Sequence, residues 1–430
     1  MTMQSPSKAL RLIAAATLAA VFALARPSTA QTDLNKKVPS APQQSSPASK
    51  SPSAKSPAKQ NETPSGNRTH PGGVDINNNL GGGRRVSVER PDHTLIVSEK
   101  GRPGFVQHPY TFHGQTYTAR TYSYRGRSYN RYYRTYSFHG VSLNVYLPAF
   151  YYRPTFYGWT FTPWPVPIRF IWGWRVRAWY SRFGYYFQPY LVYRSAVFWL
   201  TDYMIAQDLE ASYTASEQAG ESDGTPLPDT TGDPALTPDL KQQIAEEVQN
   251  QLEDEQQQAQ HFAQSPEETP VPTGIAAELA DGRPHVFVVG GNLDVTDASG
   301  KECVLSDGDT LQLTLPPPSD ATAASLVVLS SKGMPDCPAT LTVSIQLTDL
   351  QEMQNHMREA IDNGLRELQD RQGAGGLPAI PASAQSAPIQ AAYAAAAPPP
   401  DPNAATEIQQ QNQQADQSMK DVSAEPSSGP

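Results

Sequence analysis

"YTFHGQTYTARTYSYRGRSYNRYYRTYSFHGVSL", running from Tyr110 to Leu143, writes one small figure three times. Each copy carries a glycine at its centre: His113-Gly114, Arg125-Gly126 and His139-Gly140. A two-residue hairpin loop needs positive φ at both positions, and glycine supplies it at the second without steric cost. The three pairs therefore predict three hairpin turns at Gly114, Gly126 and Gly140. Their register follows. Phe112 faces Gln115, Thr111 faces Thr116 and Tyr110 faces Tyr117. Tyr124 faces Arg127, Ser123 faces Ser128 and Tyr122 faces Tyr129. Phe138 faces Val141, Ser137 faces Ser142 and Tyr136 faces Leu143. Hydroxyl and ring pairs across such a ladder contribute roughly 0.2–1 kcal/mol each. A loop one residue longer is the competing register. The stretch 105–147 reads as a meander of short antiparallel strands, with Arg stems lying on Tyr rings.

Outward from this figure the chain is strongly polarised. Residues 101–201 hold 12 Arg and no Lys, Asp or Glu, whereas the net charge of the whole chain is −9. The acidic residues are concentrated after position 201, so the chain offers one cationic aromatic segment and one long anionic one. All six Trp lie between Phe150 and Trp199. Pro and Gly spacing there argues for short strands and turns packed through rings rather than regular helix. Thr201 is placed to cap a following helix over "DYMIAQDLEASYTASEQ".

Towards the N-terminus, Lys8 and Arg11 give a positive start to the apolar run Leu10–Ala25, and Ser28-Thr29-Ala30 fits a small-x-small cleavage site. Residues 1–30 read as a signal peptide and the chain as exported: periplasmic, outer-envelope or extracellular. Residues 31–83, with their Ser/Pro/Ala/Lys units, read as a disordered linker. Ordered structure is expected from Arg84, where Val86, Val88, Leu95 and Val97 alternate with polar residues. The unit 84–213 is then an Arg/Tyr/Trp-rich β-region with a C-terminal helix.

A linker over 214–236 precedes a helix over 237–264, signalled by Thr237 as N-cap, Pro238 in the first turn and Leu240, Ile244, Val248 and Leu252 along one face. After a linker over 265–282, residues 283–372 form a second unit. "HVFVV", "LDVT", "ECVL", "TLQLTL", "SLVVLSS" and "TLTVSIQL" are six short strands, in number and spacing fit for a small barrel or sandwich. Cys303 and Cys337 are the two cysteines. In an exported chain they form a disulfide, worth roughly 3–4 kcal/mol in the loop-entropy model. The strands lead into the clearest amphipathic helix of the chain, with Leu350, Met353, Met357, Ile361, Leu365 and Leu368 on one face and Thr348 and Gln351 as a capping box. His356 falls on its polar side. The low-complexity tail 373–430 is expected to be disordered, apart from a short helix near its end. The fold class is thus mainly β with a few helices: an aromatic antiparallel meander, a small disulfide-stapled β-barrel or sandwich followed by an amphipathic helix, and long disordered segments.

For function, the chain lacks GxSxG, HExxH, Walker and dinucleotide-loop patterns, and its acid-free block cannot assemble a pair of catalytic carboxylates by itself. No catalytic residue, metal ligand or cofactor is assigned, and the turn Asp residues 294, 297, 307, 309 and 320 match no calcium loop. The block can be an aromatic core solvated by Arg, a polymer-binding surface, or an interfacial membrane contact. If it binds, the residues that would do so are Tyr110, Tyr117, Tyr122, Tyr129 and Tyr136, with Arg125 and Arg127 of the second hairpin. Trp159, Trp164, Trp172, Trp174 and Trp179, with Arg175 and Arg177, would extend the surface. The leading expectation is a non-catalytic cell-envelope protein contacting envelope polysaccharide, peptidoglycan or an anionic lipid surface. The alternative is a structural protein or homo-oligomer assembled by pairing the basic block with the acidic half. An enzyme of unknown type ranks third, and nucleic acid is a poor partner for an exported chain.

The stretches "AVFWLTDYMIAQDLEASY" (196–213), "HVFVVGGNLDV" (285–295), "LSDGDTLQL" (305–313) and "LTDLQEMQNHMREAIDNGLRELQ" (347–369) resemble a Tyr/Arg/Trp-rich family of exported proteins of acidobacterial type. That resemblance implies export and a two-part architecture, and it carries no activity and no functional residue.

Overall fold

The computed structural model describes residues 68–70, 74–78, 84–99, 103–124, 126–219, 235–266, 274–332 and 336–424. The expected signal peptide, most of the first linker, the 220–234 segment and Arg125 lie outside the described residues.

Eight strands run as an antiparallel meander in chain order: β1 (Arg68–His70), β2 (Val74–Asn78), β3 (Arg84–Glu89), β4 (Leu95–Glu99), β5 (Phe105–Phe112), β6 (Gln115–Tyr124), β7 (Arg127–Phe138) and β8 (Val141–Leu147). The sheet begins ahead of Arg84, because the sparse apolar residues Val74 and Ile76 pair with Val88 and Val86. All three hairpins have the expected register, Tyr110 opposite Tyr117, Tyr122 opposite Tyr129 and Tyr136 opposite Leu143. His113 and His139 take φ of 47° and 49° and the glycines after them 74° and 75°. Each His ring stacks on the preceding Phe, with centroids 4.0 and 3.9 Å apart, and this contact offsets the strain of a non-glycine residue in the left-handed region.

After the sheet come β9 (Phe150–Tyr151), α1 (Pro154–Phe161), a 3-10 turn (Gly173–Val176), α2 (Ala178–Phe183) and α3 (Ala196–Ala219). Two short helices therefore stand where strands were expected. Pro154 opens the first of them, a position where its missing N–H costs nothing. Thr201 is not a cap: α3 starts five residues earlier, and the Thr201 hydroxyl donates back to the Val197 carbonyl. α4 (Pro238–Gln264) starts as expected, the Thr237 hydroxyl accepting from the Leu240 N–H at 3.2 Å. Leu240, Ile244, Val248 and Leu252 are all buried, in one core with α1, α3 and the Trp-rich segment.

Past α5 (Ile275–Ala280), the six expected strands appear as β10 (His285–Val288), β11 (Leu293–Asp297), β12 (Glu302–Leu305), β13 (Thr310–Leu313), β14 (Ala323–Ser330) and β15 (Thr342–Gln346). They form one antiparallel sheet in the order β10-β13-β14-β15-β11-β12. Cys303 and Cys337 are disulfide-bonded, with Cα atoms 5.1 Å apart. α6 (Leu347–Arg371) follows, and its six apolar stripe residues are buried. Its first turn differs from the capping-box reading. The helix begins at Leu347, and Gln351 instead accepts from the Ile275 N–H and donates to Gln354 and Asn355.

The meander is covered on both faces, and its β8 edge is closed as well. Along that edge Asn355 accepts from the Tyr146 N–H and donates to the Asn144 carbonyl, while Arg358 donates to the Tyr146 carbonyl. Side chains of α6 thus satisfy backbone groups that a ninth strand would otherwise pair. The other cover is the tail. It continues through β16 (Ile389–Gln390), which pairs with β9, and α7 (Ala392–Ala396) to α8 (Ala404–Ala424). Tyr393 is buried and stacks on Tyr117 at 5.8 Å, and its hydroxyl donates to the Pro148 carbonyl. Asn130 donates to the Pro398 carbonyl, and Ala404 and Ile408 of α8 pack on Ile96 and Val106. The part of the tail through α8 is therefore an ordered strap across the sheet. It is alanine-rich and holds few large apolar side chains, but those present meet a preformed apolar face.

Candidate functional site

Two central cations of the sheet are already occupied. Arg120 and Arg131 stand directly opposite each other on β6 and β7, an unfavourable placement for like charges. Two acids of α6 resolve it. Arg120 donates to both oxygens of Glu352, at 3.1 and 2.9 Å, and Arg131 pairs with Glu359, which also accepts from the Tyr133 hydroxyl. Glu352 and Glu359 are seven residues apart, two helical turns, so they project on the same face. Arg120 lies 4.0 Å from the Tyr133 ring centroid and Arg131 4.6 Å from that of Tyr122. The basic block thus meets the acidic half inside one chain.

Half of the ten rings proposed as binding platforms are buried. Tyr117, Tyr122, Trp164, Trp172 and Trp179 are buried, so no polymer can stack on them. Tyr110, Tyr136, Trp159 and Trp174 are half-buried. The Tyr110 hydroxyl donates to the Tyr393 carbonyl, and Trp159 packs on Phe156. Arg127, Arg175 and Arg177 are exposed, Tyr129 is partly so, and Arg177 pairs with Glu210 at 2.6 Å. Residue type alone could not separate these positions, because a Trp or Tyr suits a core and a binding face equally.

A different surface emerges from the Trp-rich segment. Val166, Ile171, Val176 and Leu191 are 70, 86, 92 and 86% exposed. Arg169, Arg175 and Arg194 of the same segment are also exposed. The frame beneath is rigid. Ile168 and Tyr193 exchange backbone hydrogen bonds of 2.9 and 2.8 Å, and the Trp164 N–H donates to the Arg194 carbonyl. The Trp172 indole donates to the Tyr193 hydroxyl at 2.6 Å and stacks on Trp174 and Trp199. Tyr193 in turn donates to Asp202, which is buried against Lys241 at 2.7 Å. Aliphatic side chains are pushed outward because the indoles and phenols fill the interior. The signal in the sequence was the aliphatic residues interspersed with Arg, which the aromatic density masked.

Acids that could serve chemistry are mostly committed to structure. Asp202 is held by Lys241, Tyr193 and the Tyr190 N–H. Asp309 pairs with Lys332, and Asp297 closes its own turn on Ser299 and Lys301. His356, placed on the polar side of its helix, bonds Asp208 at 2.6 Å and lies against Gly290, where any Cβ would strike its ring. A cleft of about 310 Å³ is lined by Arg153, Gln369, Gln372, Ile380, Gln385 and Ser386, and its amides are bonded to backbone carbonyls.

One cluster went unnoticed in the sequence. His285, at the start of β10, is buried with its Nδ1 3.1 Å from Glu247 of α4 and its Nε2 3.0 Å from Asp281 at the end of α5. Glu278 of α5 lies beside them and accepts from Gln354. Burial opposes charge on the imidazole, yet Glu247 and Asp281 hold its pKa up, at about 9. Burial and the neighbouring Glu247 push Glu278 up to about 8. The four residues are spread over 38 positions, so no compact motif could announce them.

No described helix is long and apolar enough to cross a membrane. Compared with family models, with curated proteins and with solved structures, the chain matches none.

Proposed function

We propose that the chain is a non-catalytic exported envelope protein that seats its 163–194 face on an anionic lipid surface. The observation that carries this reading is the set of four aliphatic side chains, 70–92% exposed, with exposed arginines in the same segment. Isolated exposed aliphatics are ordinary, but a run of them held out by a rigid aromatic frame is a docking feature. Arginines beside them suit phosphate headgroups, each worth about 1 kcal/mol near an anionic leaflet. The absence of any acid in 101–201 removes repulsion from that surface. A glycan would need exposed ring platforms, and of the ten candidate rings only Tyr129 is exposed, five being buried and four half-buried, which favours the lipid reading.

The test is co-sedimentation of the full chain with vesicles of phosphatidylcholine alone or mixed equally with phosphatidylglycerol. Retention on the anionic vesicles at low salt, its loss at high salt, and its reduction by Ile171→Asp with Leu191→Asp are expected. No retention on either vesicle, or retention only on insoluble peptidoglycan, overturns the reading.

A further inference from the structure

We infer that Glu247, Glu278 and His285 form a binding site for a divalent transition-metal cation such as Zn²⁺, with Asp281 orienting the histidine. Each of the three offers one ligand atom, and these atoms lie within 4.8 Å of one another. A tetrahedral zinc site with bonds of about 2.0–2.1 Å brings its ligand atoms to about 3.3 Å apart. The distance from His285 Nδ1 to Glu247 Oε2 is already 3.1 Å. Small side-chain rotations of Glu278 would complete the set, leaving a fourth position for water.

Two further features separate this cluster from an ordinary ion pair. The first is its outer shell. A metal-bound histidine typically gives its other ring N–H to a carboxylate, which fixes the ring's tautomer and orientation. Here Nε2 faces Asp281 at 3.0 Å while Nδ1 faces Glu247, and Gln354 of α6 holds Glu278 from behind. The second is the donor set. Three carboxyl groups, Glu247, Glu278 and Asp281, converge on one buried imidazole, with Arg283 bonded to Asp281 at 2.6 Å. Asp281 and Glu278 are only partly covered, so an ion can enter from their side.

Such a cation would join α4, α5 and β10, three successive elements, and would act as a structural clamp. The inference is independent of the lipid-surface reading. The experiment is titration of the chelator-treated full chain with Zn²⁺ by calorimetry, and with Co²⁺ by visible absorption. Saturable 1:1 binding is expected, with a rise in Tm on loading. His285→Ala should weaken binding at least 100-fold, Glu278→Gln at least 10-fold, and Asp281→Asn 10- to 100-fold. Glu278→Gln keeps the side-chain volume at a partly exposed position, so it reports on the site even if the histidine variant misfolds. Absence of saturable binding, or binding that Glu278→Gln leaves unchanged, overturns the inference.

Discussion

Two groups of arginines from the same acid-free stretch have opposite environments. Arg120 and Arg131 lie on neighbouring strands and are covered by Glu352 and Glu359 of α6. Arg169, Arg175 and Arg194 stand exposed in the loops of the Trp-rich segment, and among the described residues no carboxylate is paired with them. The difference is one of reach. A sheet presents its side chains in a fixed lattice, and a helix lying along its edge can meet two of them with residues two turns apart. Loops wrapped around a ring-filled core present theirs to solvent. Net charge by segment therefore describes a surface only after the internal pairs have been subtracted.

Breaking the sheet's cover should have the largest effects. Tyr393→Ala removes a buried ring that stacks on Tyr117, and a loss of about 3–4 kcal/mol is expected in denaturant unfolding. Faster amide exchange in 392–424 would accompany it, because the strap is anchored there. Glu359→Ala leaves Arg131 without its carboxylate and the Tyr133 hydroxyl without its acceptor. A cost of about 3 kcal/mol follows, since a largely buried charge is stranded. Glu359→Gln should recover part of it through the tyrosine bond.

A subtler contrast comes from Asp362 of α6, which accepts from the Tyr146 hydroxyl at 2.7 Å. Burial pushes its pKa up to about 6, against the opposing pull of that hydrogen bond. The folded state therefore favours the neutral acid. Its contribution is fully present below the unfolded value near 4 and is lost as pH rises through about 6. Relative to Asp362→Asn, the natural chain should be about 1–2 kcal/mol more stable at pH 4 than at pH 7, as read from paired denaturation curves.

The hairpins give a smaller expected effect. Gly140→Ala meets no atom within 4 Å, so its cost is the backbone strain at φ +75° alone, about 1 kcal/mol. The smallest belongs to the exposed set. Replacing Arg169, Arg175 and Arg194 together by Gln should change stability by less than about 0.5 kcal/mol. A large loss there would show that these arginines are structural, and the contrast between the two groups would fail.

The residues explain which parts were legible. The three hairpins were, because a glycine at each bend and matched pairs beside it specify register within eight residues. So were Thr237-Pro238, the six strands of the second sheet and the apolar stripe of α6. The start of α3 was misplaced because Thr201 can cap a helix or bond back within one, and only the packing of Ala196–Leu200 decides. The strap was missed because Tyr393 is one ring in an alanine-rich stretch, without a periodic pattern. The histidine cluster was missed because its members meet only when α4, α5 and β10 are packed.

What the sequence determined by itself is local: turns, strand register, caps, the alternation of faces and the disulfide partners. These depend on interactions spanning a few residues, or on there being a single pair to form. Tertiary structure decided the rest: which rings became core, which arginines were neutralised, that the tail became a strap, and that Glu247, Glu278, Asp281 and His285 share one pocket. Burial and ion pairing at those positions depend on residues up to 332 places away, and no local propensity encodes them.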